Sequence, residues 1–168
     1  GICLYPEHAL TADDLLQGAH AAVYGAKARG SNAWCFFHEN MTQAARERLA
    51  MEARLRRALE LGHMRLYYQP QVELATGRLM GAEALLRWLD PEEGLISPAR
   101  FIPVAEKSGV IGALGLWVLG EACRQGQQWR AAGLPDLTIA VNVSLHQFLL
   151  TDIAGATADA LKKSGFPA

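Results

Sequence analysis

The octapeptide Gly81-Ala82-Glu83-Ala84-Leu85-Leu86-Arg87-Trp88 constrains this chain more than any other stretch. It is an apolar run preceded by the turn signal Ala75-Thr76-Gly77, and it reads as a buried strand. Alternate residues of a strand share a face, so Glu83, Leu85 and Arg87 point one way and Ala84, Leu86 and Trp88 the other. At about 3.3 Å per residue, Glu83 and Arg87 stand roughly 13 Å apart on one side, too far to pair with each other. Opposite charges on a buried strand need other partners. A cation from a neighbouring strand could neutralise Glu83, as in an ordinary ion pair. Alternatively a metal ion satisfies the carboxylate and a phosphate satisfies the arginine.

The surroundings describe what that strand belongs to. Met64 to Leu74 and Leu79 to Trp88 are predicted as two strands, joined by a short turn and antiparallel. Asp90 to Gly94 reads as a polar loop. Ser97-Pro98 reads as an N-cap with proline at the first helical position, and Pro103 is expected to split that helix in two. A longer helix is predicted from about Leu114 to Ala132, with Leu114, Trp117, Val118, Ala122 and Trp129 inward, stopping at Gly133-Leu134-Pro135. Thr138 to Ser144 is the next strand and Thr151 to Ser164 the next helix. Helices returning between parallel strands mark a βα barrel or a doubly wound sheet. Three strands are too few for a barrel of about eight, so a partial barrel is expected. Sites in such barrels lie at the C-terminal strand ends, where Arg87 stands. On the third strand Asn142 shares a face with Ala140 and Ser144. Its carbonyl is either a hydrogen-bonding core amide or, beside Glu83, a hard oxygen ligand for magnesium or manganese.

Residues 1–38 read as strand, helix, strand. Thr11 with Asp14 forms a Thr-x-x-Asp variant of the capping box; Leu15, Leu16, Ala19, Ala22, Val23 and Ala26 form the apolar stripe, and Gly30 ends the helix. Trp34-Cys35-Phe36-Phe37 is expected as a short buried strand. Lys27, in the helix's last turn, suits the helix dipole. Residues 39–63 are a connector helix with Ala45, Leu49, Leu55 and Leu59 at helical spacing, and its arginines and glutamates interleave as on a solvated face. With 16 Lys+Arg against 17 Asp+Glu, no global field draws the chain to a nucleic-acid polymer or anionic membrane. No apolar run approaches the roughly 20 residues needed to span a bilayer. Cys3, Cys35 and Cys123 form no paired spacing and read as reduced thiols of a cytoplasmic protein. The five histidines show no metal-ligand spacing. The chain opens inside a strand-like run without methionine and stops just after a helix, as a piece of a longer protein would.

Four motifs occur in order: Tyr67-Tyr68-Gln69-Pro70, Gly81 to Trp88, Phe101-Ile102-Pro103-Val104-Ala105-Glu106 and Val141-Asn142-Val143-Ser144. Together they resemble the first half of the EAL family of cyclic-di-GMP phosphodiesterases, over residues 64–168. Upstream, Tyr5-Pro6, Ala22 to Lys27 and Gly30-Ser31-Asn32 resemble the C-terminal end of a GGDEF (diguanylate cyclase) domain. His20 and Ser31 depart from that pattern, and its active-site loop is absent from this sequence, so the resemblance implies no cyclase activity here.

The EAL resemblance implies an α/β fold, a partial TIM-like (β/α) barrel behind a truncated α+β GGDEF remnant and a connector helix. It implies that Glu83 and Asn142 are metal ligands for Mg2+ or Mn2+, with Glu83 catalytic, that Arg87 clamps a phosphate and that Gln69 contacts a guanine. Glu106 reads as a structural helix residue. The implied reaction is metal-dependent hydrolysis of cyclic-di-GMP to linear pGpG. It is expected of a larger parent, homodimeric or not, with any membrane or sensory domains outside this chain; the segment alone is expected to be inactive. The alternative is a receptor or regulatory module that binds the dinucleotide without cleaving it.

Overall fold

A computed structural model of the protein describes residues 1–30, 32–134 and 136–167; Ser31, Pro135 and Ala168, the first two within motifs named above, lie outside the described residues. The chain divides into two compact units, Gly1–Ala53 and Arg54–Ala168. In the first, helix α1 (Ala12–Arg29) starts where the capping pattern places it. The Asp14 amide donates to Thr11 Oγ1 at 3.2 Å, and the Thr11 hydroxyl donates to Asp14 Oδ2 at 2.6 Å. Gly30, at φ +128°, closes the helix. Ala21, Ala22 and Phe37 form a small core with Cys3 and Met41. The two expected strands reduce to one parallel bridge, Ile2 with Phe36. Trp34 and Phe36 are exposed while Cys35 and Phe37 are buried, the alternation of an extended segment with one covered side; Leu16 is likewise exposed.

Helix α2 (Glu39–Glu60) is the connector, and Gly62 at φ +70° turns the chain after it. Its residues from Arg54 onward belong to the second unit, where Leu55 and Ala58 are buried. Leu49 is exposed, so the apolar stripe is used only at its C-terminal end.

The second unit is a four-stranded sheet covered by helices. Strands β1 (Met64–Val72) and β2 (Leu79–Asp90) are antiparallel, with Gln69 opposite Glu83 and Arg65 opposite Arg87. The expected polar loop is present as the tight turn of a hairpin whose second strand was not anticipated. Asp90 Oδ1 accepts the amides of Glu92 and Glu93, each at 3.0 Å, and strand β3 (Gly94–Ile96) pairs back on β2. Helix α3 (Pro98–Ser108) is continuous through Pro103, contrary to the expected break. Phe101 and Ala105, both fully buried, anchor the helix on either side of the proline, and their burial outweighs one lost backbone bond. Gly109, at φ +76°, turns the chain by 119° into α4 (Val110–Ala131). That helix begins four residues earlier than expected, since Val110 and Ile111 are core residues. Trp117 and Trp129 are only partly buried.

Strand β4 (Thr138–Val141) then runs parallel to β2, with Glu83 opposite Ala140. A short helix α5 (Leu145–Leu150) was not anticipated, and α6 (Ile153–Ser164) is capped by Asp152 rather than starting at Thr151. Trp88, Phe101, Leu55, Met64, Ile96 and Leu114 are the largest fully buried side chains, and Trp88 meets Phe101 edge to face at 5.6 Å. Among the described residues no single helix is long and apolar enough to cross a membrane.

Candidate functional site

The sheet has two faces. One carries Met64, Ala84 and Trp88 into the core beneath α3 and α4. The other carries Gln69 and Tyr67 from β1, Glu83, Leu85 and Arg87 from β2, and Ala140 from β4. Gly81 allows β2 and β4 to approach: a Cβ there would collide with the Thr138 carbonyl oxygen. Asn142 stands one residue beyond the last residue of β4, so the expected strand ends earlier than read, yet the alternation keeps Asn142 on the Glu83 face. Its Nδ2 donates to Glu83 Oε1 at 2.6 Å, across 59 residues of chain. Strand β4 stops there because Ser144 caps α5, accepting the Gln147 amide at 3.1 Å.

The ordinary ion-pair alternative for Glu83 is not what the fold builds. Among the described residues no cation lies within ion-pairing distance of Glu83, whose partner is a neutral amide. Arg87 is free of carboxylates in the same sense. Its Nη1 donates to the Leu86 carbonyl at 2.8 Å, and its guanidinium carbon lies 5.5 Å from the centre of the Tyr67 ring. The half-buried carboxylate and the guanidinium thus share one sheet face with no counter-charge on either among the described residues, which leaves both able to meet ligands.

Tyr67 is the residue that sequence reasoning passed over. It lies opposite Leu85, two positions from Gln69; period-two alternation puts it on the Gln69 face, and the β1–β2 register brings it beside Arg87. Gln69 is exposed directly across from Glu83. Behind it on the helix-facing side, Tyr68 packs edge to face on Trp129 at 4.7 Å; burial, with the Glu121 charge, pushes its phenol up to about 12. A mostly apolar cavity of 280 Å³ opens at the strand ends, with Arg87, Pro98, Ile102, Asn142 and Gln147 in its wall. A larger one of 440 Å³, along Trp129, Thr138 and Phe166, contains none of the site residues.

The donor set can be tested against a divalent cation. A half-turn of the Asn142 carboxamide exchanges its N–H for Oδ1. Two oxygens would then stand near the spacing of adjacent ligands on a small octahedral ion, about 2.9 Å for bonds of about 2.0–2.1 Å. Magnesium characteristically takes one or two protein oxygens and fills its other positions with water and substrate phosphate, and the pair fits that habit. Among the described residues, no group of three or more His, Cys, Asp or Glu side chains forms a metal cluster.

A family profile described as the EAL domain matches residues 52–168. The chain belongs to the EAL domain family. It is 45% identical over 161 residues to the bifunctional diguanylate cyclase/cyclic di-GMP phosphodiesterase MucR of Pseudomonas aeruginosa, covering 96% of this chain and 24% of that protein. To the cyclic di-GMP phosphodiesterase PdeR of Escherichia coli it is 39% identical over 166 residues, covering 99% of this chain and 25% of PdeR. Among solved structures, the PaMucR phosphodiesterase in its c-di-GMP complex superposes with a TM-score of 0.66 at 44% identity, over 70% of this chain and 47% of that one. The mixed α/β fold is therefore that of EAL domains. The chain spans about a quarter of the length of these curated relatives.

Proposed function

We propose that residues 64–168 are the N-terminal half of an EAL phosphodiesterase domain, a partial TIM-like barrel, and that the parent protein hydrolyses cyclic-di-GMP to linear pGpG. Residues 1–38 are then the C-terminal end of a GGDEF domain, and residues 39–63 connect the two. The observation that carries this reading is the Glu83–Asn142 pair, held at 2.6 Å by neighbouring parallel strands with Arg87 and Gln69 on the same face.

In this reading Glu83 and Asn142 hold Mg2+ or Mn2+, which when bound supplies Lewis-acid polarisation of the scissile phosphate and activation of water. Arg87, stacked on Tyr67, presents its fork to a phosphate oxygen and neutralises charge that develops there. Gln69 offers both a donor and an acceptor to a guanine edge. The sheet face orients the dinucleotide; the carboxylates needed to complete the site are not among the described residues.

A second reading is a receptor that holds cyclic-di-GMP without cleaving it, since Arg87 and Gln69 on one sheet face would serve binding with or without turnover. The two separate on one experiment. The native protein carrying this chain is incubated with cyclic-di-GMP and Mg2+ or Mn2+, and pGpG is followed by chromatography. Turnover abolished in Glu83→Gln supports the phosphodiesterase. Tight binding without turnover establishes the receptor, and neither event in a folded sample refutes both.

A further inference from the structure

One charged cluster outside the site lies against the strand that carries Arg87. Arg54, on the last turns of α2, places Nη2 3.0 Å from Asp90 Oδ2, bonds Glu93 Oε1 through Nη1, and sets its guanidinium carbon 5.6 Å from the Trp88 ring centre. The Asp90 side chain is only 8% exposed and accepts the two turn amides described above. Arg100 adds a contact from α3, 2.9 Å from Glu93 Oε2. From another direction, the Leu89 amide donates to the His63 carbonyl at 2.9 Å. The three residues that follow Arg87 are thereby held by β3, by α2 and by the turn before β1.

A lone exposed ion pair contributes little. This one differs, because a single planar guanidinium spans two carboxylates, one of them buried, and lies on an indole face. Arg87, by contrast, has no ionic partner of its own among the described residues. Its aim depends on where the end of β2 is held and on the Tyr67 ring.

We infer that Arg54 is a positioning residue for Arg87: it fixes residues 88–90 and through them the direction of the phosphate-binding guanidinium. This rests on Arg87 being that group, so the test must separate the two ideas. Cyclic-di-GMP affinity is measured by calorimetry in EDTA, where metal-dependent turnover is stopped, on the native protein and on Arg54→Ala, Arg87→Ala and the double variant. Arg54→Ala is expected to weaken binding about tenfold (about 1.4 kcal/mol). In the Arg87→Ala background the same change is expected to cost less than twofold, because the group it positions is gone.

Equal losses in both backgrounds would make Arg54 a general structural residue and overturn the inference, as would no loss in either. If Arg87→Ala alone leaves affinity unchanged, the phosphate-binding assignment fails first and the inference falls with it. Should Arg54→Ala fail to fold, Arg54→Lys and Asp90→Asn run the same cycle. Lysine keeps the charge but loses the fork and the stacking, and a loss of about threefold, again confined to the Arg87 background, is expected.

Discussion

Gly81→Ala is the perturbation that links the fold to the site most tightly. The methyl group would enter the space held by the Thr138 carbonyl, and backbone on both sides cannot swing away as a side chain could. Strands β2 and β4 must separate at the register position two residues before Glu83. Forcing a methyl into such a contact costs about 1–3 kcal/mol. The Glu83–Asn142 bond weakens with it, adding at most a small further loss because Asn142 is exposed. With urea m-values of about 1–3 kcal/mol/M, the unfolding midpoint should fall by roughly 1 M. Urea denaturation followed by tryptophan fluorescence reads this directly, since Trp88 lies on β2. A parallel Gly77→Ala control has no such neighbour and is strained only by its φ of +70°. If Gly81→Ala leaves the midpoint unchanged, the close approach of β2 and β4 is not what holds Asn142 beside Glu83.

Three further outcomes follow from the same geometry. Arg87→Lys should weaken cyclic-di-GMP binding about tenfold with the thermal midpoint little changed, because lysine neither forks nor stacks on Tyr67 as arginine does; calorimetry and a melting curve check both halves. Phe101→Ala should cost about 3–5 kcal/mol in denaturant unfolding, since the ring is fully buried against Trp88. Burial pushes the Asp90 carboxyl up, but the Glu93 amide, the Arg54 guanidinium and the Glu92 amide together hold it below its usual range. A depressed folded value means that its stabilising share is present above the unfolded value of about 3.9 and is lost as pH falls below it. Asp90→Asn should therefore flatten the acid limb of the stability–pH curve, measured as thermal midpoint from pH 6 to pH 2.5.

Much of the site was legible because strand geometry is periodic. Alternation alone put Glu83 and Arg87 on one face, and Asn142 on the same face of its own strand as Ala140. What the residues could not reveal was register, which brings Gln69 opposite Glu83 and Ala140 beside it. The unanticipated elements are short. Strand β3 has three residues and α5 six, too few for any period, although Ser144 and Gln147 carry a capping-box spacing that marks α5. The Pro103 reading misjudged α3 because a local breaker was weighed without the burial of Phe101 and Ala105, and α4 starts before Leu114 because Val110 and Ile111 are buried. Leu16 and Leu49 are exposed members of apolar stripes whose other residues, Ala22 and Leu55 among them, are buried, and a stripe cannot state which of its residues will be covered.

The central claim is that Glu83 and Asn142 form two ligand positions of one divalent-cation site. Electron paramagnetic resonance of Mn2+, titrated into the native protein, reads that claim without depending on turnover. The native protein should bind Mn2+ with an affinity that falls at least tenfold in Glu83→Gln and again in Asn142→Leu, while each variant keeps its fold. Undiminished Mn2+ binding in both variants would contradict the account and leave the 2.6 Å pair as a hydrogen bond within the sheet.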